Sequence, residues 1–259
     1  MRKLFWISAI LSLCLPSFGA VTIVQFYVPP YLTCALSSTV CTPTLPQAVT
    51  IGNTTAVLYA TQGVMSAGQT TISSVTGGGA GAGTFTVNPQ DSSGNTARNY
   101  YANASIDLAV NNSATSADTT FTITRSANGT NWMPAFIEVS CSPSPCILDA
   151  IVTAIDSVVQ TTHTGADLPI TGTDTIFTAI ADGSGALSIS SPSGASYSYY
   201  GASDHDAAAA AQGATSGAAP TWTATLGGAS LISSVSWKVS ASSVRSAGNL
   251  SRRGHIVIK

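Results

Sequence analysis

Charged residues are scarce in this sequence, at 8% of the chain, and aromatic residues make up only 7%. Disordered chains carry many more charges, so this composition favours a folded protein. Lys and Arg total 9 and the formal net charge is −2, which leaves little cationic surface for a nucleic acid backbone. The scarcity of charge therefore predicts a folded protein that binds no nucleic acid.

Side chains that do acid–base chemistry near neutral pH are also few. The chain has three histidines, His163, His205 and His255, and a single glutamate, Glu138. The Gly-x-Ser-x-Gly motif of serine hydrolases is absent, and so is the Cys-x-x-Cys spacing of zinc ribbons and redox pairs. We therefore expect no enzyme activity, no catalytic residue, no bound metal and no cofactor.

Long apolar runs are missing except at the amino terminus. Met1-Arg2-Lys3 is followed by an apolar run over residues 4–15 and then by small residues up to Ala20. This pattern predicts a signal peptide over residues 1–20, cleaved after Gly19 or Ala20. The alternative is a membrane anchor, but a spanning helix needs about 20 apolar residues. We expect a secreted, extracellular or cell-surface protein with no membrane span after the signal peptide is removed.

Export determines how the remaining cysteines are interpreted. Cys34, Cys41, Cys141 and Cys146 form an even set in an oxidising compartment, which predicts disulfides. The simplest pairing is two local bridges, Cys34 with Cys41 and Cys141 with Cys146. The alternative pairs the first two cysteines with the last two.

The apolar pattern along most of the chain is that of β-strands. Residues 104–110 alternate apolar with mostly polar side chains, and Leu231, Val235 and Trp237 share one face of a second alternating segment. About a dozen such segments, separated by Gly, Ser and Asn turns, are typical of sandwiches and barrels. We predict an all-β protein, a β-sandwich or jelly-roll-like arrangement of antiparallel sheets.

Two segments depart from this pattern and predict helices. Apolar residues recur at helical spacing between Ile147 and Val159, which predicts one amphipathic helix over about 148–160. Ser203 and Asp206 are spaced like a capping box ahead of an alanine run, which predicts a short helix near 204–211. The first helix would begin directly after Cys146, so the disulfide loop would hold its start.

The chain divides at the CSPSPC segment that ends with Cys146. We expect residues 21–146 to form an N-terminal β domain and residues 147–259 to form a C-terminal β-rich half that contains the helix. The alternative is that both halves pack together as one sandwich. Residues 21–28 are apolar on both faces, as expected of a strand that lies between layers or is donated to a neighbour's open sheet edge.

The segment SANGTNW, from Ser126 to Trp132, is the most specific local motif. Asn128-Gly129 between residues 119–125 and 132–139 predicts a β-hairpin with these two residues at its tip. The segment resembles the Ser-x-Asp-Gly-x-x-Trp hairpin of discoidin-like jelly rolls and of β-domains in phage tail and adhesion proteins. Trp132 would then either stack on a sugar ring or cover the edge of the sandwich.

Charges are distributed unevenly along the chain. Between Arg125 and Lys238 there are eight acidic residues and no Lys or Arg, whereas residues 238–259 contain five basic residues and no acidic one. A basic terminal strand of one subunit could meet the acidic body of the next, and head-to-tail contacts that do not close produce filaments. The alternative is that the terminal segment lies across the acidic half of its own chain.

These features predict an exported, non-enzymatic structural or adhesive surface protein, with self-association into a filament or appendage as its mode of assembly. The alternative is a secreted carbohydrate-binding module with a glycan or other surface ligand. Its candidate binding residues are Trp132, Tyr197, Tyr199 and Trp222. A secreted hydrolase is the second alternative, and it requires a cleft that holds a histidine and a carboxylate within hydrogen-bonding reach.

Overall fold

The structure is a computed structural model of the chain. It describes residues 20–30, 33–34, 37–62, 70–101, 104–128, 131–142, 144–170, 173–182, 189–203 and 206–239. Residues 1–19 of the predicted signal peptide, Gly129 of the predicted hairpin tip, His205 and the basic residues 240–259 lie outside this part of the chain.

The described residues form fourteen strands and no helix. In chain order the strands are β1 (Ala20–Tyr27), β2 (Val40–Cys41), β3 (Thr54–Gln62), β4 (Ile72–Gly77), β5 (Thr86–Val87), β6 (Asn99–Tyr101), β7 (Ala104–Asn111), β8 (Phe121–Arg125), β9 (Met133–Ser142), β10 (Cys146–Thr164), β11 (Asp174–Asp182), β12 (Tyr199–Ser203), β13 (Asp206–Ala214) and β14 (Thr221–Val239). The all-β prediction is confirmed for this part of the chain, in which no helix could cross a membrane.

The strands form three antiparallel sheets. The central sheet has the order β1-β9-β3-β7-β5, with β6 also paired to β7. The cover sheet has the order β2-β8-β4, and the outer sheet has the order β10-β14-β11-β13-β12. The two alternating segments predicted as strands are β7 and the second half of β14.

The central sheet is buried on both faces, because successive side chains of a strand point to opposite sides. In β3, Leu58 belongs to a core shared with the outer sheet, while Tyr59 belongs to a core shared with the cover sheet. Phe177 and Trp237 fill the first core from the outer sheet, and Phe121 fills the second from the cover sheet. The arrangement is sandwich-like, with the central sheet between the other two.

The outer sheet also has a covered second face. Ile180, Ile232 and Trp222 form a further apolar cluster there, together with Ile189 from the segment that precedes β12. Ser234 and Ser236 of β14 lie on this side and are buried. Polar alternation in β14 therefore marks a face under other parts of the chain rather than a face in water.

The predicted helix over 148–160 is wrong, because these residues lie within β10. Ile, Val and Thr dominate the segment, and β-branched residues fit strands better than helices. The register of β10 against β14 shifts between Leu148 and Ala150 and again between Asp156 and Gln160. These bulges interrupt the alternation, so the apolar residues acquire a spacing that imitates a helix.

The predicted short helix near 204–211 is also wrong where it can be compared, because residues 206–211 belong to β13. Alanine favours helices intrinsically, but tertiary packing overrides that preference. Ala207 to Ala211 are buried and β13 is paired on both sides, with β11 and β12. Short side chains let this strand lie in the middle of a densely packed sheet.

The predicted hairpin around Asn128-Gly129 is wrong in its pairing. β8 belongs to the cover sheet and β9 belongs to the central sheet, so the connection crosses between layers. Arg125 before the crossing stacks over the Trp132 ring after it, with 3.9 Å between the guanidinium carbon and the ring centroid. This contact holds the two ends of the connection together without a backbone ladder.

The first mature segment lies in its own sheet. β1 pairs with β9, and Val21 and Ile23 contribute to the core between the central and outer sheets. Its exposed side is protected, since the Ile23 amide donates a 2.9 Å hydrogen bond to Gln212 Oε1. Of the two covers expected for this segment, the structure contains the intramolecular one.

Candidate functional site

An acidic pair and a lysine meet at one end of the outer sheet, on the face turned away from the central sheet. Asp149 comes from β10, Asp174 begins β11, and Lys238 is near the end of β14. Asp149 lies at the bulge between Leu148 and Ala150, which places its carboxylate beside Lys238. Three strands therefore bring the three groups together, and we refer to them as the Asp–Asp–Lys cluster.

The Asp–Asp–Lys cluster is mostly buried and only partly neutralised. Lys238 Nζ forms an ion pair with Asp149 Oδ1, and the side chains of Lys238 and Asp149 are 36% and 9% exposed. Asp174 is 1% exposed, and neither of its carboxylate oxygens makes a good hydrogen bond with a described donor. A buried carboxylate in this position is costly if it is ionised.

The surroundings of Asp174 favour its protonated form. Burial, followed by the adjacent Asp149 carboxylate, raises the pKa of the Asp174 carboxyl to about 6. Lys238 and the Ser236 hydroxyl oppose this rise without cancelling it. The arrangement therefore places a buried carboxyl with a raised pKa next to an ion pair.

A second titratable pair lies further along the β10–β14 ladder. His163 Nδ1 is 3.0 Å from Asp156 Oδ2, and Gln160 also donates to that carboxylate. Burial raises the pKa of Asp156, but hydrogen bonds from Gln160, His163 and the Val158 amide lower it more, so that the pKa lies below its usual value. His163 is fully buried and its Nε2 has no hydrogen-bond partner among the described residues. The pair has the base and orienting acid of a hydrolase, but the imidazole that would act as the base is fully buried.

The predicted sugar-binding aromatic residues are not brought together on an exposed surface. Trp132 is 5% exposed and packs against Tyr59 at 5.6 Å between ring centroids. Trp222 is fully buried, and Tyr197 packs against the same cluster on the second face of the outer sheet. Tyr199 lies elsewhere, 6.1 Å from the Phe26 ring.

Open grooves lie on the surface of the described residues. One groove of about 450 Å³ runs between the 95–98 segment and β10, and its lining includes Asn95, Thr96 and Arg98. No aromatic side chain lines this groove. It therefore lacks the stacking platform that sugar recognition commonly uses.

Both predicted disulfides are present. Cys34 bonds to Cys41 and Cys141 bonds to Cys146, each with 5.2 Å between Cα atoms. The second bridge joins the end of β9 to the start of β10, where the chain passes from the central sheet to the outer sheet. Disulfides persist mainly in oxidising compartments, so both bridges favour an extracellular environment.

Exposed apolar side chains are concentrated on β10. Ile155, Val158 and Val159 are 52%, 60% and 71% exposed and lie within five residues of each other. β10 is an edge strand of the outer sheet. Its earlier part is covered, because Asp91 accepts from the Ile151 amide and Asn99 donates to the Ala154 carbonyl. Residues 155–162 extend beyond this cover, and we refer to them as the free edge.

Sequence reasoning missed the members of the Asp–Asp–Lys cluster. One signal was present, since Lys238 is the first basic residue after Arg125 and follows a long acidic stretch. A lone cation in such a stretch has an electrostatic reason to contact carboxylates. Which carboxylates it contacts depends on the pairing of β10 with β14, which the helix prediction excluded.

Comparison with known proteins found no relative of this chain. No protein-family model matches the chain, and no curated protein or solved structure shows a significant similarity to it. Function therefore has to be inferred from the geometry of this chain.

Proposed function

We propose that the protein is an exported, non-enzymatic structural or adhesive surface component whose copies associate through the free edge, residues 155–162 of β10. The observation that carries the proposal is the exposure of Ile155, Val158 and Val159 on a strand that pairs with β14 along one edge and with no described strand along the other. An edge strand presents backbone donors and acceptors that can pair with another chain. Strand addition of this kind is a common mode of protein assembly.

The other long strand at a sheet end has less free backbone. β1 is capped by Gln212, which accepts from the Ile23 amide, and by Gln47, which donates to the Val24 carbonyl. At the far end of the outer sheet, β12 is short, and Gly201 lies directly against Val28. In the free edge, by contrast, the described contact between backbone and side chain is internal to the strand, since the Val158 amide donates to the Asp156 carboxylate.

A second copy of the chain fits the free edge better than a charged partner does. Asp156 is the single charged residue in 155–162, and its carboxylate already accepts hydrogen bonds from Gln160 and His163. The segment contains no Lys and no Pro, two residue types that commonly keep edge strands apart, although its register against β14 shifts at Asp156 and at Gln160. Two free edges can therefore pair antiparallel about a two-fold axis with little charge repulsion.

Export and a structural role are supported by different features. Two disulfides suit an oxidising compartment. Buried carboxylates such as Glu138 and Asp107 are engaged in hydrogen bonds within the fold rather than directed into a cleft. Extension of dimers into a filament would require a second contact, for which the basic residues 240–259 are the candidate.

The test is sedimentation velocity of the mature protein over a wide concentration range, with Val159→Lys and Ile51→Lys as a matched pair. Ile51 is also an exposed apolar residue, at 64%, but it lies in a turn of the amino-terminal half. Val159→Lys should weaken association about tenfold or more, since each copy brings a lysine to the shared edge. Ile51→Lys should associate like the wild type.

Two results would contradict the proposal. The first is a wild-type protein that stays monomeric at every concentration. The second is a Val159→Lys variant that associates as strongly as the wild type does.

Carbohydrate binding stays a prediction with less support, because Trp132 and Trp222 are buried. Tyr200, at 42% exposed, is the remaining aromatic residue near the predicted set with a substantial accessible face. Binding to a glycan array that is lost in Tyr200→Ala would favour this alternative.

A further inference from the structure

The Asp–Asp–Lys cluster contains the three groups that are needed to form an amide between side chains. Lys238 supplies an amine, Asp149 supplies the carboxyl carbon next to that amine, and Asp174 supplies a buried acid. They are held by three neighbouring strands of one sheet, so their relative positions do not depend on a flexible loop. The ends of β10 and β14 are paired here, with Ile147 opposite Lys238.

We propose that Lys238 Nζ and Asp149 Cγ condense to an intramolecular isopeptide bond, with Asp174 as the proton donor and acceptor for the reaction. The reaction needs no oxidant, reductant or added cofactor. An ammonium group and a carboxylate are converted to a neutral amide and one water molecule.

The atoms and charges balance through a tetrahedral intermediate. Lys238 first transfers its ammonium proton to the Asp149 carboxylate, which gives a neutral amine and a neutral acid. The nitrogen lone pair then forms the C–N bond at Asp149 Cγ. The C–O bond breaks as Asp174 donates its proton to the departing hydroxyl, which leaves as water. Asp174 regains a proton from the amide nitrogen and ends the reaction in its original form.

Three physical effects favour this reaction over a permanent ion pair. Holding the amine against the carboxyl removes the entropy cost of bringing two reactants together. Asp149 is 9% exposed, so its charged form is poorly solvated and conversion to a neutral amide relieves that cost. Asp174 precedes Thr175, which pairs with Trp237, so it lies beside Lys238, and burial together with the Asp149 carboxylate raises its pKa to about 6.

The product would tie the start of β10 to the end of β14 covalently. The Cys141–Cys146 disulfide lies at the same end of the outer sheet, where Cys141 Sγ contacts the Lys238 carbonyl at 4.0 Å. Two covalent links would thus fix the strand that carries the free edge. A surface component that experiences pulling forces benefits from links that cross between neighbouring strands.

The test is intact mass spectrometry of the purified full chain after reduction and alkylation of all cysteines. The mature amino terminus is first read from the same sample. The wild type should then be lighter by one water molecule than the mass calculated for the mature sequence with alkylated cysteines. Fragmentation should locate the loss in a branched peptide that joins the Asp149 segment to the Lys238 segment.

Two variants separate the isopeptide from other sources of water loss. Lys238→Arg keeps the positive charge beside Asp149 but has no amine that can form this amide. Its mass should therefore equal the mass calculated from its mature sequence. Asp174→Asn keeps the size of the side chain but has no acidic proton to donate, so the water loss should be absent or strongly slowed. Circular dichroism of both variants shows whether the sheets are retained.

A wild-type mass equal to that calculated for the mature sequence, with no loss of water, would overturn the proposal. Water loss that persists in Lys238→Arg would also overturn it, because that result indicates a cyclic imide at an aspartate instead.

Discussion

Buried carboxyl groups in the central sheet and in the outer sheet differ in their hydrogen bonding. Glu138 in the central sheet accepts hydrogen bonds from Gln25, Asn53 and the Thr50 amide. Asp174 in the outer sheet is equally buried, yet it has no good hydrogen bond from a described donor. The difference indicates that donors within the fold replace water around the central carboxylate, while burial and the nearby Asp149 carboxylate disfavour ionisation of the outer one.

Asp107 repeats the pattern of Glu138 on a neighbouring strand. Its carboxylate accepts from the Ile72 amide at 2.9 Å and from Asn88 and Arg98 at 2.8 Å each. Ile72 begins β4 of the cover sheet and Asn88 follows β5 of the central sheet, so Asp107 links the two sheets. Burial of a carboxylate is tolerated where several donors replace its water shell.

The largest effect is expected from Glu138→Ala. This change leaves Gln25, Asn53 and the Thr50 amide without their common acceptor in a buried site. We expect a loss of about 3–5 kcal/mol in the free energy of unfolding, measured by urea denaturation. Asp167→Ala is the control, since that exposed carboxylate accepts from the Ala219 amide and should cost less than about 1 kcal/mol. Equal losses in the two variants would remove the contrast between the sheets.

Asp174→Asn should increase the free energy of unfolding, whereas Glu138→Ala should decrease it. The change is best measured in a Lys238→Arg background, in which the amide between residues 149 and 238 cannot form. The folded pKa of about 6 lies above the usual value of 3.8, so between these values the folded state binds more protons than the unfolded state. The free energy of unfolding of the protein that carries Asp174 therefore falls as the pH rises through this window. Asp174→Asn should stabilise by roughly 2–3 kcal/mol at pH values well above this window and by almost nothing below it. A gain that does not change with pH would contradict this assignment.

The two disulfides offer a comparison of similar size. Their sequence separations are 7 and 5 residues, so loop entropy predicts a loss of about 2 kcal/mol for each when both cysteines are replaced by serine. The Cys141–Cys146 pair also joins the central sheet to the outer sheet. Chemical denaturation should therefore show a larger loss for that pair, and identical losses would limit its role to loop closure.

The smallest effect on stability is expected at the free edge. Val159 is 71% exposed, so Val159→Lys should change the free energy of unfolding of the monomer by less than about 0.5 kcal/mol. Thermal unfolding at low protein concentration measures this change. A large loss would mean that Val159 packs within its own chain, and the variant could then no longer report on association alone.

Much of the fold could be predicted from local pattern. β7 and the second half of β14 alternate apolar with polar residues, and the cysteines are close enough in sequence to pair locally. β10 could not be predicted in the same way, because its bulges change the spacing of its apolar residues. The alanines of β13 were misleading for a different reason, since burial between two paired strands outweighs helix propensity.

The polar groups were harder to predict than the strands. Glu138 alternates with apolar neighbours and was expected at an exposed or edge position, but β9 lies between β1 and β3 and both of its faces are buried. The Asp–Asp–Lys cluster depends on a bulge at Asp149 and on the pairing of three distant strands. Such contacts arise from register, which local sequence patterns do not specify.

Hydrogen exchange of the β10 amides as a function of protein concentration tests the central claim most directly. If copies pair through the free edge, amides within residues 155–162 that lie on the open side of the strand should exchange more slowly as the concentration rises. In the Val159→Lys variant, the exchange rate of each of these amides should not change with protein concentration over the same range. Exchange over residues 155–162 that is independent of concentration in the wild type would contradict association through this edge.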